Sequence, residues 1–133
     1  MRFMLIQYYG GVPEGVPPMT EWTPEAAQAH FDAQKAINAE LIERGELLDA
    51  QALTPPEAAK FVIAEDVASP VITDGPYPEA KELIAGFRTV DVESLDRALE
   101  IAAQVSATPD HEGKPIRQRI AVREVMWMPS DDE

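Results

Sequence analysis

Two parts of this 133-residue chain have residue types and spacing suited to chemistry: His30 with Gln34 four positions on, and the run Thr73-Asp74-Gly75-Pro76-Tyr77-Pro78-Glu79-Ala80-Lys81. Imidazole changes charge closest to neutral pH, so a histidine is the natural general acid or base. The alternative for His30 is structural, its ring hydrogen-bonded to Gln34 or to a backbone carbonyl. In the second run, Gly75 and Pro76 constrain the backbone between the acid Asp74 and the cation Lys81, which makes a loop suited to holding reactive or binding groups. Asp74 has a plainer alternative, since an acid before Gly-Pro often shapes a turn by accepting backbone N–H groups.

Further residues could hold a ligand. Arg88 falls inside an apolar stretch, where a guanidinium needs an acceptor or an outlet to water; it suits an anchor for an anion and equally a subunit interface. Lys81 beside Glu82 could orient an anion or simply be solvated. Tyr8, Tyr9 and Tyr77 could line an apolar pocket, although rings of this kind more often pack in cores and interfaces. His111 stands alone between Asp110 and Glu112, and one imidazole with flexible acids makes no dedicated metal site. Gly10-Gly11 leads into a proline-broken loop instead of a helix start, so no phosphate-binding turn is expected and no cofactor is implied.

Eleven basic against 24 acidic residues give a formal net charge of −13, which repels phosphate backbones and anionic lipid and argues against direct nucleic-acid or membrane binding. Lys114, Arg117, Arg119 and Arg123 cluster near the carboxyl end, where a solvated face is the expected arrangement. The chain has no cysteine, which excludes thiol chemistry and disulfides. The opening MRFMLIQYYGG lacks the features of a signal peptide and no segment is apolar enough to span a bilayer, so a cytoplasmic protein is expected.

The elements that must position these groups follow from periodicity. Residues 2–9 are apolar on both alternating faces, as in a central strand. Thr23-Pro24-Glu25 supplies an N-cap, a first-turn proline and an acid, and predicts a helix to about Arg44 with Gly45 as its stop. On that helix His30 and Gln34 fall within the stripe that carries Ile37 and Leu41. A short strand over 47–53, a hairpin from 60–64 and 70–73, a strand over 83–90 with Gly86 as a bulge or close approach, a helix bearing Leu95, Ala98, Leu99, Ala102 and Val105, and a last strand over 118–127 complete the chain. Asp91 or a residue just after it should cap the second helix, and residues 128–133 read as a solvated tail.

This order predicts one domain of the α+β class, a ferredoxin-like βαββαβ arrangement with an inserted hairpin and both helices on one sheet face. The other face then needs a cover, and a second copy of the chain supplies it in a homodimer of face-to-face sheets.

The strand FMLIQYY, the helix end ERGELLDAQAL, the block ITDGPYPEAKELIAGF, the helix VESLDRALEIAA and the closing IAVREV together resemble the YCII-related superfamily, and within it the DGPF-domain group of small bacterial proteins. Tyr77 stands where that group's name has phenylalanine, and Pro78 stiffens the turn beyond the usual pattern. The resemblance implies a dimeric α/β-barrel of ferredoxin-like halves with a cleft in each subunit. It further implies a His on the first helix near an Asp, here His30 with Asp74, for cofactor-independent acid/base chemistry on a small organic molecule. Gln34, Tyr8, Gly75, Pro76, Tyr77, Lys81 and Arg88 are the expected ligand-binding residues around that pair. Fusions within the group imply the alternative, a non-catalytic ligand-binding or regulatory module linked to a sigma factor.

Overall fold

The computed structural model describes residues 1–75 and 83–132, which form β1 (Arg2–Tyr8), α1 (Pro24–Glu43), β2 (Leu47–Ala52), β3 (Lys60–Ile63), β4 (Val71–Asp74), β5 (Ile84–Asp91), α2 (Leu95–Ser106) and β6 (Ile120–Glu124). The main sheet is antiparallel in the order β2-β5-β1-β6, and β3 with β4 makes a separate two-stranded hairpin. With the hairpin set aside, the order and the two crossover helices give the expected ferredoxin-like α+β arrangement.

Local signals account for the element ends. Thr23 caps α1 through its side-chain oxygen, which accepts from the Ala26 amide at 3.1 Å, and Pro24 occupies the first turn, where its missing N–H costs nothing. Gly45 ends the helix in a left-handed conformation, φ +72°, that L residues resist. Ser94 caps α2 by accepting from the Arg97 amide, so the cap lies three residues past Asp91. At Gly86 a β-carbon would meet the Gln51 carbonyl oxygen at 2.6 Å, so the glycine marks a close approach of the β2 backbone.

One sheet face carries Phe3, Leu5 and Val90 into a core with Ile37 and Leu41 of α1 and Ala98, Ile101, Ala102 and Val105 of α2. Both helices therefore lie on that face. The opposite face, set by the alternation of the strands, presents Met4, Ile6, Phe87, Thr89 and Ala121. At the rim of the core Arg97 grips Glu46 through two bonds, Nε to Oε2 at 3.0 Å and Nη2 to Oε1 at 2.9 Å. That guanidinium holds the Glu46 carboxyl below its ordinary pKa.

One expectation changes. The last strand is shorter at both ends than 118–127, running Ile120–Glu124, and Arg117 just upstream adopts a left-handed φ of 58° that delays its start. The tail residues Pro129–Asp132 are exposed and form a 3-10 turn, in which the Asp131 carboxylate accepts from the Arg2 guanidinium at 2.7 Å. Lys114, Arg117, Arg119 and Arg123 are all exposed, as a solvated face requires.

Candidate functional site

The inward stripe of α1 changes character along its length. Ile37 and Leu41 go to the apolar core, whereas His30, Gln34 and Asn38, set mostly nearer the helix start, come against the sheet, where β5 contributes Arg88. Arg88 follows from strand alternation: it pairs in register with Leu5 of β1 and so shares the helix-covered face. His30 is only 6% exposed and Arg88 5%.

Arg88 organises the cluster. Its Nε donates to Asn38 Oδ1 at 2.7 Å, and its Nη2 donates to Gln34 Oε1 at 2.6 Å and to the Gln34 carbonyl at 3.2 Å. Nη1 donates to Gln7 Oε1 at a longer 3.4 Å. All four acceptors are neutral amide oxygens, and among the described residues no carboxylate pairs with this cation. Burial lowers the pKa of the guanidinium, since desolvation disfavours its charge.

The proton on His30 can be placed by elimination. Its Nδ1 lies 2.8 Å from the Pro109 carbonyl, which can only accept, so Nδ1 carries hydrogen. In the neutral ring Nε2 is then the lone-pair nitrogen. Because Arg88 demands the oxygen of the Gln34 amide, the Gln34 NH2 group turns toward Thr108 Oγ1 at 3.3 Å and His30 Nε2 at 3.5 Å. The contact to Nε2 is at the limit of a hydrogen bond. Both partners expected of a structural histidine are thus present, with the basic nitrogen the more weakly held.

A scaffold of loops fixes this geometry. Gln7 donates to Gln118 Oε1 at 2.8 Å, and Gln118 donates to the Tyr8 carbonyl at 3.0 Å. Pro109 is held by its bridge to Pro115 and by the turn after it, in which Asp110 Oδ1 accepts from the Glu112 amide at 2.8 Å and the Lys114 amide at 3.0 Å. Burial alone would raise the Asp110 pKa, but those two backbone bonds and the charges of His111 and Lys114 outweigh it and hold the carboxyl low. Trp22 seals the outer edge: its indole donates to the Pro17 carbonyl, and its ring meets His30 edge-on at 5.6 Å.

The structure brings His30, Gln34 and Arg88 together and places Asp74 elsewhere. Asp74 ends β4 on the hairpin, exposed and paired with Lys60, and makes no hydrogen bond with His30. Gly75 is packed beside it, its amide donating to the Ala59 carbonyl at 2.9 Å, where a β-carbon would strike the Phe61 ring. Tyr8 meets the cluster only through its carbonyl, its side chain lying half-buried on the helix-free alternation of β1. Pro76, Tyr77 and Lys81 lie outside the described residues.

Sequence reasoning missed Gln7, Trp22, Asn38, Thr108 and Gln118. Gln7 did carry a signal, as a polar residue in phase with Phe3 and Leu5; Asn38 likewise sits eight residues after His30, on its face. Trp22, Thr108 and Gln118 reach the cluster through loops and carry no periodic signal. Among the described residues no three His, Asp or Glu side chains converge to hold a metal ion. A shallow concavity lined by Pro24, Glu25, Gln28, Ala29 and Asp32 lies on the solvent side of α1, outside the network. Its two acids make it unsuited to the ligand that a buried cation would select.

Residues 1–113 match the model of the YCII-related domain. The chain is also similar to an uncharacterized protein of Rhizobium meliloti (strain 1021), with 29% identity over 99 residues, covering 71% of this chain and 79% of that protein.

Proposed function

Since the chain belongs to the YCII-related domain family, we propose that it binds a small organic anion at the Arg88–Gln34–His30 cluster, and that His30 acts there as general base through Nε2. The supporting observation is Arg88, a buried guanidinium answered, among the described residues, by neutral oxygens alone. A buried charge is stabilised far better by an opposite charge than by amide dipoles, and a carboxylate matches the guanidinium fork. The ligand would replace the long Gln7 contact at Nη1. The Pro109 carbonyl holds the tautomer that leaves Nε2 basic, which is how a histidine is oriented for proton transfer. Asp74 has no part in this step. The DGPF-domain group and a cytoplasmic setting belong to the same reading.

Thermal-shift titration with a panel of small carboxylic acids at pH 7 tests it. A ligand that binds only the folded state stabilises by about 2.7 kcal/mol at one hundred times its Kd, so wild type should melt several degrees higher with at least one acid and Arg88→Gln should not respond. Equal responses from both proteins would sink the assignment.

A binding-only reading draws support from His30 itself, whose two nitrogens are both engaged inside the fold. In that case the cluster senses a metabolite, and capture of a sigma factor with no turnover of any bound acid would favour it. The helix-free sheet face is taken to be covered by a second copy in a homodimer, which light scattering would register as twice the chain mass.

A further inference from the structure

His30 and Arg88 are both buried, so a molecule that binds between them needs an entrance. Two segments outside α1 engage the His30 ring: the loop at Pro109, by a hydrogen bond, and Trp22, edge-on at 5.6 Å. They are fastened very differently. In the Pro109 loop the Ile116 amide donates to the Thr108 carbonyl at 2.8 Å, Arg117 to Ser106 at 2.8 Å and Asp110 to Lys114 at 2.7 Å, which ties it down on both sides.

Residues 12–22 have no such fastening. Among the described residues, their backbone bonds run from Val16 to Pro13, Glu21 to Pro18 and Trp22 to Met19, all inside the segment, and the indole donates to the Pro17 carbonyl, also inside it. The ends are held, at Gly11 by the Arg119 amide donating to its carbonyl and at Thr23 by its place as the cap of α1. Between those ends Trp22 is the one buried residue. Pro13, Pro17 and Pro18 stiffen the piece, and because the indole bonds to its own segment, ring and backbone can swing together without breaking that bond.

A second observation sets the closed form at a disadvantage. The His111 ring lies 6.2 Å from the same indole, and its Nδ1 is buried with no hydrogen-bond partner among the described residues. A buried polar atom left without a partner costs free energy that contact with water recovers. Burial of the indole favours closing and relief at His111 favours opening.

We infer that residues 12–22 are a gate over the Arg88–His30 cluster, hinged at Gly11 and Thr23 and plugged by Trp22, which swings out to admit a small organic anion. The inference rests on the anion-binding reading of that cluster and supplies its entrance. Closure behind the ligand would exclude water from the base, as lids over reactive sites do.

Diethyl pyrocarbonate, which acylates an accessible neutral imidazole, probes the gate without any ligand, and peptide mass spectrometry separates the chain's two histidines. In wild type His30 should label more slowly than His111, at a rate that does not change with urea below the unfolding transition, because a local opening exposes little surface. Trp22→Ala should raise the His30 rate at least about tenfold with the far-ultraviolet circular dichroism unchanged, and Trp22→Phe, a smaller plug, should fall between. A wild-type His30 that labels only in step with global unfolding overturns the gate, and that series needs no variant. Folded Trp22 variants that label at the wild-type rate overturn it as well. Failure of the anion reading shows separately, as a melting point that no carboxylic acid shifts.

Discussion

The interface between α1 and the sheet is made of two unlike halves. Around Leu41, 1% exposed, Phe3, Leu5, Ile37 and Val90 pack with the apolar face of α2. About one to three turns earlier on the same helix, Asn38, Gln34 and His30 face Arg88 and Gln7, and the contacts are directional hydrogen bonds. The apolar half derives its stability from area and close packing, which tolerate any side chain of the right shape. The polar half keeps a desolvated cation that apolar residues would avoid. A fold that needed only stability would continue the first pattern through the second, and this contrast is why chemistry is assigned to one half alone.

The sharpest way to break the contrast is to damage the apolar half. Leu41→Ala should cost about 3–4 kcal/mol, transfer and cavity terms together, because its surroundings cannot collapse around the lost atoms. Urea unfolding would read the loss, and the response to carboxylic acids should persist wherever the variant stays folded. A cost under about 1 kcal/mol would mean that this half is not the rigid base on which the site stands.

Next comes His30, where the two halves of its role can be separated. His30→Ala removes the donor to the Pro109 carbonyl and should cost about 1–3 kcal/mol. His30→Asn places an amide N–H near the position of Nδ1, so it should recover most of that stability while lacking a basic nitrogen. Proton exchange with a bound acid, read as proton uptake by calorimetry in buffers of different ionisation heat, should vanish in the Asn variant. If His30→Asn binds and takes up protons as wild type does, Nε2 is not the base.

How much of this was open to reading from the chain follows the same division. Elements marked by periodicity and caps were legible: Thr23-Pro24 started α1, Gly45 stopped it, and the hairpin lay where two β-rich runs met a turn. His30 and Gln34 were placed correctly on the inward stripe, since helical spacing alone puts them there. Arg88 was legible as an oddity, a cation in an apolar strand. The partner of His30 was not, because Pro109 and Thr108 approach it from a loop 79 and 78 residues away, and no local pattern encodes such a closure. The Lys60 partner of Asp74 was not legible either. Composition made its loop conspicuous, but hairpin register set Lys60 opposite Asp74.

Acid provides a smaller test on the apolar side. Glu46 has its folded pKa depressed by Arg97, so its contribution is complete above the ordinary carboxylate value of 4.5 and is lost as pH falls through the lower folded value. Stability should decline below about pH 4.5, and Glu46→Gln should flatten that decline while costing about 1–2 kcal/mol at neutral pH. The polar half contributes to the same window through Asp110, which is also held low. A Glu46→Gln profile with the wild-type slope would assign the acid sensitivity to Asp110 and the loop that carries Pro109.

The smallest effect is expected at the residue the sequence made most conspicuous. Asp74 and Lys60 are 73% and 65% exposed, and ion pairs in that setting contribute at most a few tenths of a kcal/mol because water screens both partners. Asp74→Asn should therefore change stability by less than about 0.5 kcal/mol, and it should leave the thermal response to carboxylic acids unaltered. The two readouts together carry the weight. Unchanged stability with a lost ligand response would mean that Asp74 reaches the bound molecule despite its place on the hairpin, and the site would then have to be built from hairpin and helix together. Unchanged values on both counts are what the proposal of Arg88 as anchor and His30 as base expects, since neither residue hydrogen-bonds Asp74.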